Sequence, residues 1–332
     1  MLPLLLALLL GAPASPPPAP PVAAPLRLTG KAFGQPVEIE VRDLSGEAAR
    51  AAIQQALAEV AAVERLTGPG LAALNAAAGR GPQPVDPRLL LALLRALNFC
   101  QWSGGTHGPL GRDLYAAWGL HAVAGASEAP SSELVEQAAS RAGCDRLTLD
   151  PQRGTAALAE GGGLELVGFA EGAAVDRAVE TLRQRKAGNG FVRVGPVHRG
   201  FGPGPAGKGW PVTLPQVPGL EAPAGEVYLR DRSLAIAAMT DHPLQGTSSS
   251  YLNQRTGKPA QGVVAAAAST ELAVDAQGLA TTMLISGSRA GQMRLGSLSP
   301  RPSVLWFVGS GAGEPLLVDY RWSALSREGS AK

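Results

Sequence analysis

Cysteine, histidine and aromatic residues are all scarce in this chain of 332 residues, and each scarcity narrows its chemistry. Cys100 and Cys144 are the two cysteines. They either pair, as an exported protein allows, or stay as buried thiols, because Cys100 falls late in an apolar helical pattern. The four histidines, His107, His121, His198 and His242, stand without metal-ligand spacing. Aromatics make up 5% of the chain. Trp102, Trp118 and Trp210 are too dispersed to read as a stacking platform. Charge of one sign is also missing: 29 Lys and Arg face 27 Asp and Glu. A balance this close to neutral gives no reason to expect nucleic acid as a partner. Past the N-terminus no apolar run is long enough to cross a membrane, so the mature chain is expected to have no span. No internal repeat is visible.

What is present begins with an apolar run over 1–14. It is too short to span a bilayer and is followed by small residues. It reads as a secretory signal with cleavage near Ala14 or within 19–24. No cysteine follows it to carry a lipid. Residues 15–25 are rich in Pro and Ala and read as a linker. The expected division is therefore signal and linker over 1–24 and one domain over 25–325, exported to the periplasm.

The first half is largely helical in pattern. An alternating strand at 35–42 is followed by a helix from a Ser45 cap to about residue 66, with Ile53, Leu57, Val60 and Val63 on one face. Asp86-Pro87 is an N-cap followed by proline at the first helical position, opening a Leu-rich helix over 88–102 that stops at Ser103-Gly104-Gly105. Short helices are expected over 114–118 and, from Ser131 or Ser132, to 142. Strands then dominate: a hairpin over 146–158, then 190–195, 210–214, 226–230, 233–237, 262–266, 303–308 and 316–319. Two helices interrupt them, one ending near 185 and one from about 269–271 to 285. The sum is an α+β fold, with mixed or antiparallel sheets flanked by helices.

The stretch 165–177 holds the sharpest local signal. A buried segment ends in a tight glycine turn and a helix follows. Gly168 and Gly172 are places where backbone can approach a ligand, and the helix start offers N–H groups that suit phosphate. Asp241 and His242 form a candidate acid/base pair, although a loop without chemistry is the commoner origin of such a pair. Asp176 is most simply a helix residue bonding locally.

Seven segments in order resemble the ApbE family of exported FAD:protein FMN transferases. They are Leu71 to Asn75, Ser103-Gly104-Gly105 through Trp118-Gly119, Leu166 through Gly168 and Gly172 to Asp176, Phe191 to Gly195, Trp210 to Val212, Arg255-Thr256-Gly257, and Gly278 to Thr281 with Gly287. The resemblance covers about 32–318. It implies an ApbE-like fold and Mg²⁺-dependent transfer of FMN from FAD to a Thr or Ser of a partner protein. It also implies FAD and Mg²⁺ as ligands. Gly168, Gly172, Gly195 and Thr256 would border the flavin, and Ala173, Gln277 and Thr281 would sit by the metal.

The same comparison exposes departures. Gln277 stands where the family pattern has Asp, four residues before Thr281 and so on the same helical face. Asn253 also replaces an Asp, Ser250 a His and Glu171 a Lys, while Gly195-Pro196-Val197 replaces the segment Gly-Gly-Asp. Phosphoryl transfer needs charge neutralisation, and each lost contact of that kind costs roughly 3–4 kcal/mol. The expectation is a transferase that is weak or inactive. The alternative is a non-catalytic protein that binds a flavin or serves as scaffold for a flavinylated electron-transfer partner.

Overall fold

The computed structural model describes residues 24–119, 129–215, 217, 220–221, 224–239, 249–309 and 313–322. The expected signal, the Asp241–His242 pair and the last residues of the expected domain lie outside them. In chain order the elements are β1 (Leu26–Ala32), β2 (Gln35–Val41), α1 (Gly46–Arg65), a π-helical turn (Leu66–Gly70), α2 (Leu71–Ala76), β3 (Gln83–Pro84), α3 (Pro87–Ser103), α4 (Arg112–Ala117) and α5 (Ser132–Ser140). There follow a 3₁₀ turn (Cys144–Arg146), β4 (Leu147–Asp150), β5 (Thr155–Leu158), α6 (Ala170–Gln184), β6 (Gly190–Val194), β7 (Val197–Phe201), β8 (Trp210–Thr213) and β9 (Glu226–Leu229). The chain closes with β10 (Arg232–Ala238), β11 (Val263–Thr270), α7 (Ala273–Leu295), β12 (Ser303–Val308) and β13 (Leu316–Tyr320).

An eight-stranded sheet in the order β1-β2-β6-β7-β10-β11-β12-β13 organises the molecule. Every pairing in it is antiparallel. Both faces are covered, and the period-2 alternation of side chains feeds two cores. Ala235, Ala237, Ala266, Ala268, Val304 and Trp306 face the main core with helices α1, α3, α6 and α7. Leu234, Ile236, Ala265, Ala267, Leu305 and Phe307 face a second core with Trp210, Val212, Val227 and Leu229 of the small β8–β9 sheet. Burial on both faces explains why β11 reads as an unbroken apolar run. Its alanines also leave room for α7 to lie close. The indole N–H of Trp306 donates to the Met283 carbonyl at 3.1 Å and ties that helix to the sheet.

Three strands escaped the sequence reading: β1, the two-residue β3 and β7. β1 alternates cleanly, but directly follows the Pro/Ala-rich stretch. β7 is Val-His-Arg-Gly-Phe, with no alternation to read, and all five residues are buried. The caps fared better. Asp86 accepts from the Arg88 N–H at 2.9 Å, and Ser131 from the Leu134 N–H at 3.3 Å. Ser45 precedes α1 as expected, but its side chain makes no cap bond. α7 runs ten residues beyond the expected end at residue 285, with non-helical backbone at Gly287. Of the two options for the cysteines, the structure takes the first: Cys100 on α3 and Cys144 in the 3₁₀ turn form a disulfide.

Candidate functional site

A cleft of about 740 Å³ opens between the sheet and the facing ends of α6 and α7. That is a size common to small-molecule and cofactor sites. Its floor carries Val167, Gly168, Glu171, Gln277 and Thr281; its walls include Phe191, Arg193, Gly195, His198, Val212 and Ile236. Four of the expected site residues therefore meet there: Gly168, Gly195, Gln277 and Thr281. Gln277 and Thr281 share one face of α7, as their i,i+4 spacing requires.

Gly168 has φ +78°, and a Cβ there would stand 2.7 Å from Thr281 Oγ1 and 2.8 Å from His107 Nε2. The position demands glycine on both grounds. Asn75 pins the chain just before it. Its amide donates to Leu164 O at 3.0 Å and accepts from Leu164 N–H at 2.7 Å. Gly195, with φ +52°, makes the turn between β6 and β7.

Three other expected residues do not line the cleft. Gly172 is a packing glycine: a Cβ would lie 2.6 Å from Ala273 O and from Val274 Cα, so its absence lets α6 and α7 touch backbone to backbone. Its neighbour Ala173 faces a separate groove beside Asp176 and Arg199. Thr256 sits in a turn organised by Asn253, whose side-chain oxygen accepts from the Arg255 and Thr256 N–H groups at 3.1 and 3.2 Å. Gly257 closes that turn with φ +72°, and its carbonyl accepts from the Trp118 indole at 3.0 Å. The turn is structural, and Asn253 is its hydrogen-bonding centre (an Asx turn).

Gln277 spends both ends of its amide. The oxygen accepts from the Gly172 N–H at 2.8 Å, and the nitrogen donates to Glu171 Oε2 at 2.6 Å. The two departures from the family pattern at 171 and 277 are thus one feature, a carboxylate held by a carboxamide. Mg²⁺ asks for near-octahedral oxygen ligands that include one or two carboxylates. Gln277 brings no charge, and its oxygen is already engaged. Glu171 is turned toward the amide N–H. Among the described residues no group of three His, Cys, Asp or Glu is placed to hold a metal. The residues present do not fit the implied ion.

Asp176 does more than bond locally. It accepts from the Ala273 and Val274 N–H groups at 2.8 and 3.0 Å, capping α7 from α6, and it pairs with Arg199 of β7. α7 has no cap bond from its own N-cap residue, Leu272. Asp275, the other acid near the helix start, pairs instead with Arg95 at 3.3 Å.

Sequence reasoning also missed two buried histidines. His107 lies flat on Phe169, rings 4.7 Å apart and 7° from parallel, and neither ring nitrogen has a hydrogen-bond partner among the described residues. Burial lowers its pKa from 6.5 to about 3. His198 packs on Phe191 at 6.1 Å, and Phe191 in turn on Trp210 at 5.5 Å. Burial, then the Arg193 charge, lowers its pKa to about 3 as well. Both imidazoles take up a proton more readily unfolded than folded. Their contribution is whole above pH 6.5 and is lost as pH falls toward 3, by about 1.4 kcal/mol per pH unit for each histidine. Asp176 and Asp275, pushed upward by burial, work in the opposite sense. The comparison that isolates His107 is therefore with His107→Phe, which keeps the ring stack. Urea titrations at about pH 6.5 and about pH 4.5 are expected to show a shallower loss of stability in the variant. Equal slopes would rule out a neutral, buried His107.

The sequence model of the ApbE family matches residues 33–304. Among solved structures, the chain resembles the Flavin Transferase ApbE from Vibrio cholerae, with TM-score 0.76 and 20% identity over 90% of this chain and 97% of that one. The apbe protein from Thermotoga maritima superposes with TM-score 0.79 at 20% identity, over 92% and 100%. The Pseudomonas stutzeri flavinyl transferase ApbE gives 0.75 at 17% identity, over 92% and 98%. At these identities the likeness is one of fold. No curated protein matches the chain in sequence.

Proposed function

The chain belongs to the ApbE family, and from that premise we propose that its cleft holds a flavin while FAD:protein FMN transfer by this copy is weak or absent. Three features support a flavin in the cleft: its volume, the glycines Gly168 and Gly195 on its surface, and the aromatic edge of Phe191 and His198 on its wall. The family reaction would break the FAD pyrophosphate as a Thr or Ser oxygen of the acceptor bonds to the FMN phosphorus, with AMP leaving. That step requires positive charge around the phosphates. The observation that carries the low-activity reading is the Gln277 amide, bonded at once to the Gly172 N–H and the Glu171 carboxylate. It leaves an anion where the step asks for a cation.

The Cys100–Cys144 disulfide and the apolar N-terminal run support an exported, periplasmic setting. A flavinylated electron-transfer protein or a Thr-bearing acceptor is the partner class that goes with it.

The test is an FMN-transfer assay with FAD, Mg²⁺ and a Thr-bearing acceptor protein, run beside the Vibrio cholerae enzyme. The wild-type chain is expected to be slower by at least about 100-fold, the loss attached to one missing transition-state contact. Gln277→Asp alone is expected to give no gain, because it sets a second carboxylate against Glu171. Combined with Glu171→Lys it restores an ion pair, and transfer is expected to rise tenfold or more. Asn253→Asp, in a turn away from the cleft, is expected to change nothing. A wild-type rate within a few-fold of the Vibrio enzyme would sink the proposal.

A further inference from the structure

Glu171 changes what the floor of the cleft accepts. The start of α6 was the natural place for a phosphate, yet three of its first four N–H donors are occupied. Of the first four N–H groups, Ala170 donates to Leu166 O, Gly172 to Gln277 Oε1 and Ala173 to Phe169 O. The Glu171 carboxylate stands in the same first turn and lines the cleft beside Gln277. The Gln277 N–H, 2.6 Å from Glu171 Oε2, fixes that carboxylate at the junction of the two helices. The described lining carries one cation, and it stands on the wall rather than at the floor. Its charged members are Glu38, Glu171 and Arg193. Glu38 is partnered by Arg27 at 3.2 Å, and Arg193 directs its Nε to Gly195 O at 3.0 Å. A phosphate placed at the floor would meet the Glu171 carboxylate and a helix start with three of its first four N–H groups already engaged. The apolar and aromatic wall of Phe191, His198, Val212 and Ile236 remains available to a planar ring.

We infer that Glu171, held in place by Gln277, is a specificity-determining residue that makes this cleft select the uncharged, dephosphorylated flavin class over phosphate-bearing flavins. The inference rests on the flavin reading given above. It names the ligand within that reading: a tricyclic ring bearing a neutral polyol, with riboflavin as the probe.

Kd values for riboflavin, FMN and FAD, measured by quenching of flavin fluorescence with the full chain at low salt, test it. Riboflavin is expected to bind at least as tightly as FMN or FAD. Glu171→Gln keeps an acceptor for the Gln277 amide and removes the charge. It is expected to shift the FAD-to-riboflavin affinity ratio toward FAD by tenfold or more, with riboflavin affinity nearly unchanged. High salt should shrink that shift, as a charge effect does and a change of shape does not. A melting curve equal to wild type would establish that the variant is folded. Should FAD bind tenfold or more tightly than riboflavin to the wild type, or the ratio stay fixed in Glu171→Gln, the inference is overturned and the flavin reading stands. Binding of none of the three flavins would overturn both.

Discussion

Replacing Asp176 with alanine is expected to cost about 3–5 kcal/mol of folding stability, read as a lower midpoint in urea. Asp176 holds three donors at once: the Arg199 guanidinium and the Ala273 and Val274 N–H groups at the start of α7. Arg199 is buried, with its side chain 10% exposed, and its Nε has no partner among the described residues. Without the carboxylate it would be an uncompensated charge inside the protein, and such a charge costs more than the ion pair contributes. The cap on α7 would go too, at about 1 kcal/mol. Asp176→Asn keeps an acceptor for the helix start while losing the charge, so it is expected to fall between wild type and alanine. The double variant Asp176→Ala with Arg199→Met removes the orphan, and it is expected to recover a good part of the loss. A drop below about 1 kcal/mol in Asp176→Ala would mean that water or a side-chain shift replaces the carboxylate.

Opening the disulfide is the second large effect. Cys100 and Cys144 are 44 residues apart in sequence. Closing a loop of that length in the unfolded chain accounts for about 4 kcal/mol in the chain-entropy view. The chain packs closely beside Cys100: α3 ends at Ser103, the backbone turns through Gly104 with φ +64°, and a Cβ on Gly108 would lie 2.4 Å from Cys100 Cβ. Cys100→Ala with Cys144→Ala is therefore expected to lower stability by about that amount. A reductant should produce a similar loss in the wild type and none in the double variant. A reductant effect equal in both proteins would assign the loss to something other than this bridge.

Much of the fold was legible because its signals are local. The Asp86-Pro87 helix start, the Ser131 cap and the hairpin around residues 151–154 depend on a few neighbouring residues and on backbone geometry that any fold would respect. Periodicity located α1, α3, α6 and most strands for the same reason. The mixture of expected helices and strands carried the α+β class, and the seven ordered segments carried the family. Besides β1 and the short β3, local pattern missed β7. Its His198 and Arg199 are buried by partners far along the chain, Phe191 for one and Asp176 for the other.

The site divides the same way. By itself the sequence determined that Gln277 and Thr281 share a helical face, that Gly168 ends a turn, and that charges usual to the family are missing at residues 171 and 277. Helical spacing and side-chain chemistry suffice for those. Only the tertiary structure decided that Glu171 and Gln277 are one hydrogen-bonded unit, since they are 106 residues apart. It likewise decided that Gly172 serves packing, that Thr256 belongs to a turn outside the cleft, and that Asp176 caps a helix that begins 97 residues later. Each of those roles depends on which backbone lies within about 3 Å of a given atom. That is fixed by how the helices close on the sheet, and no spacing within one segment encodes it.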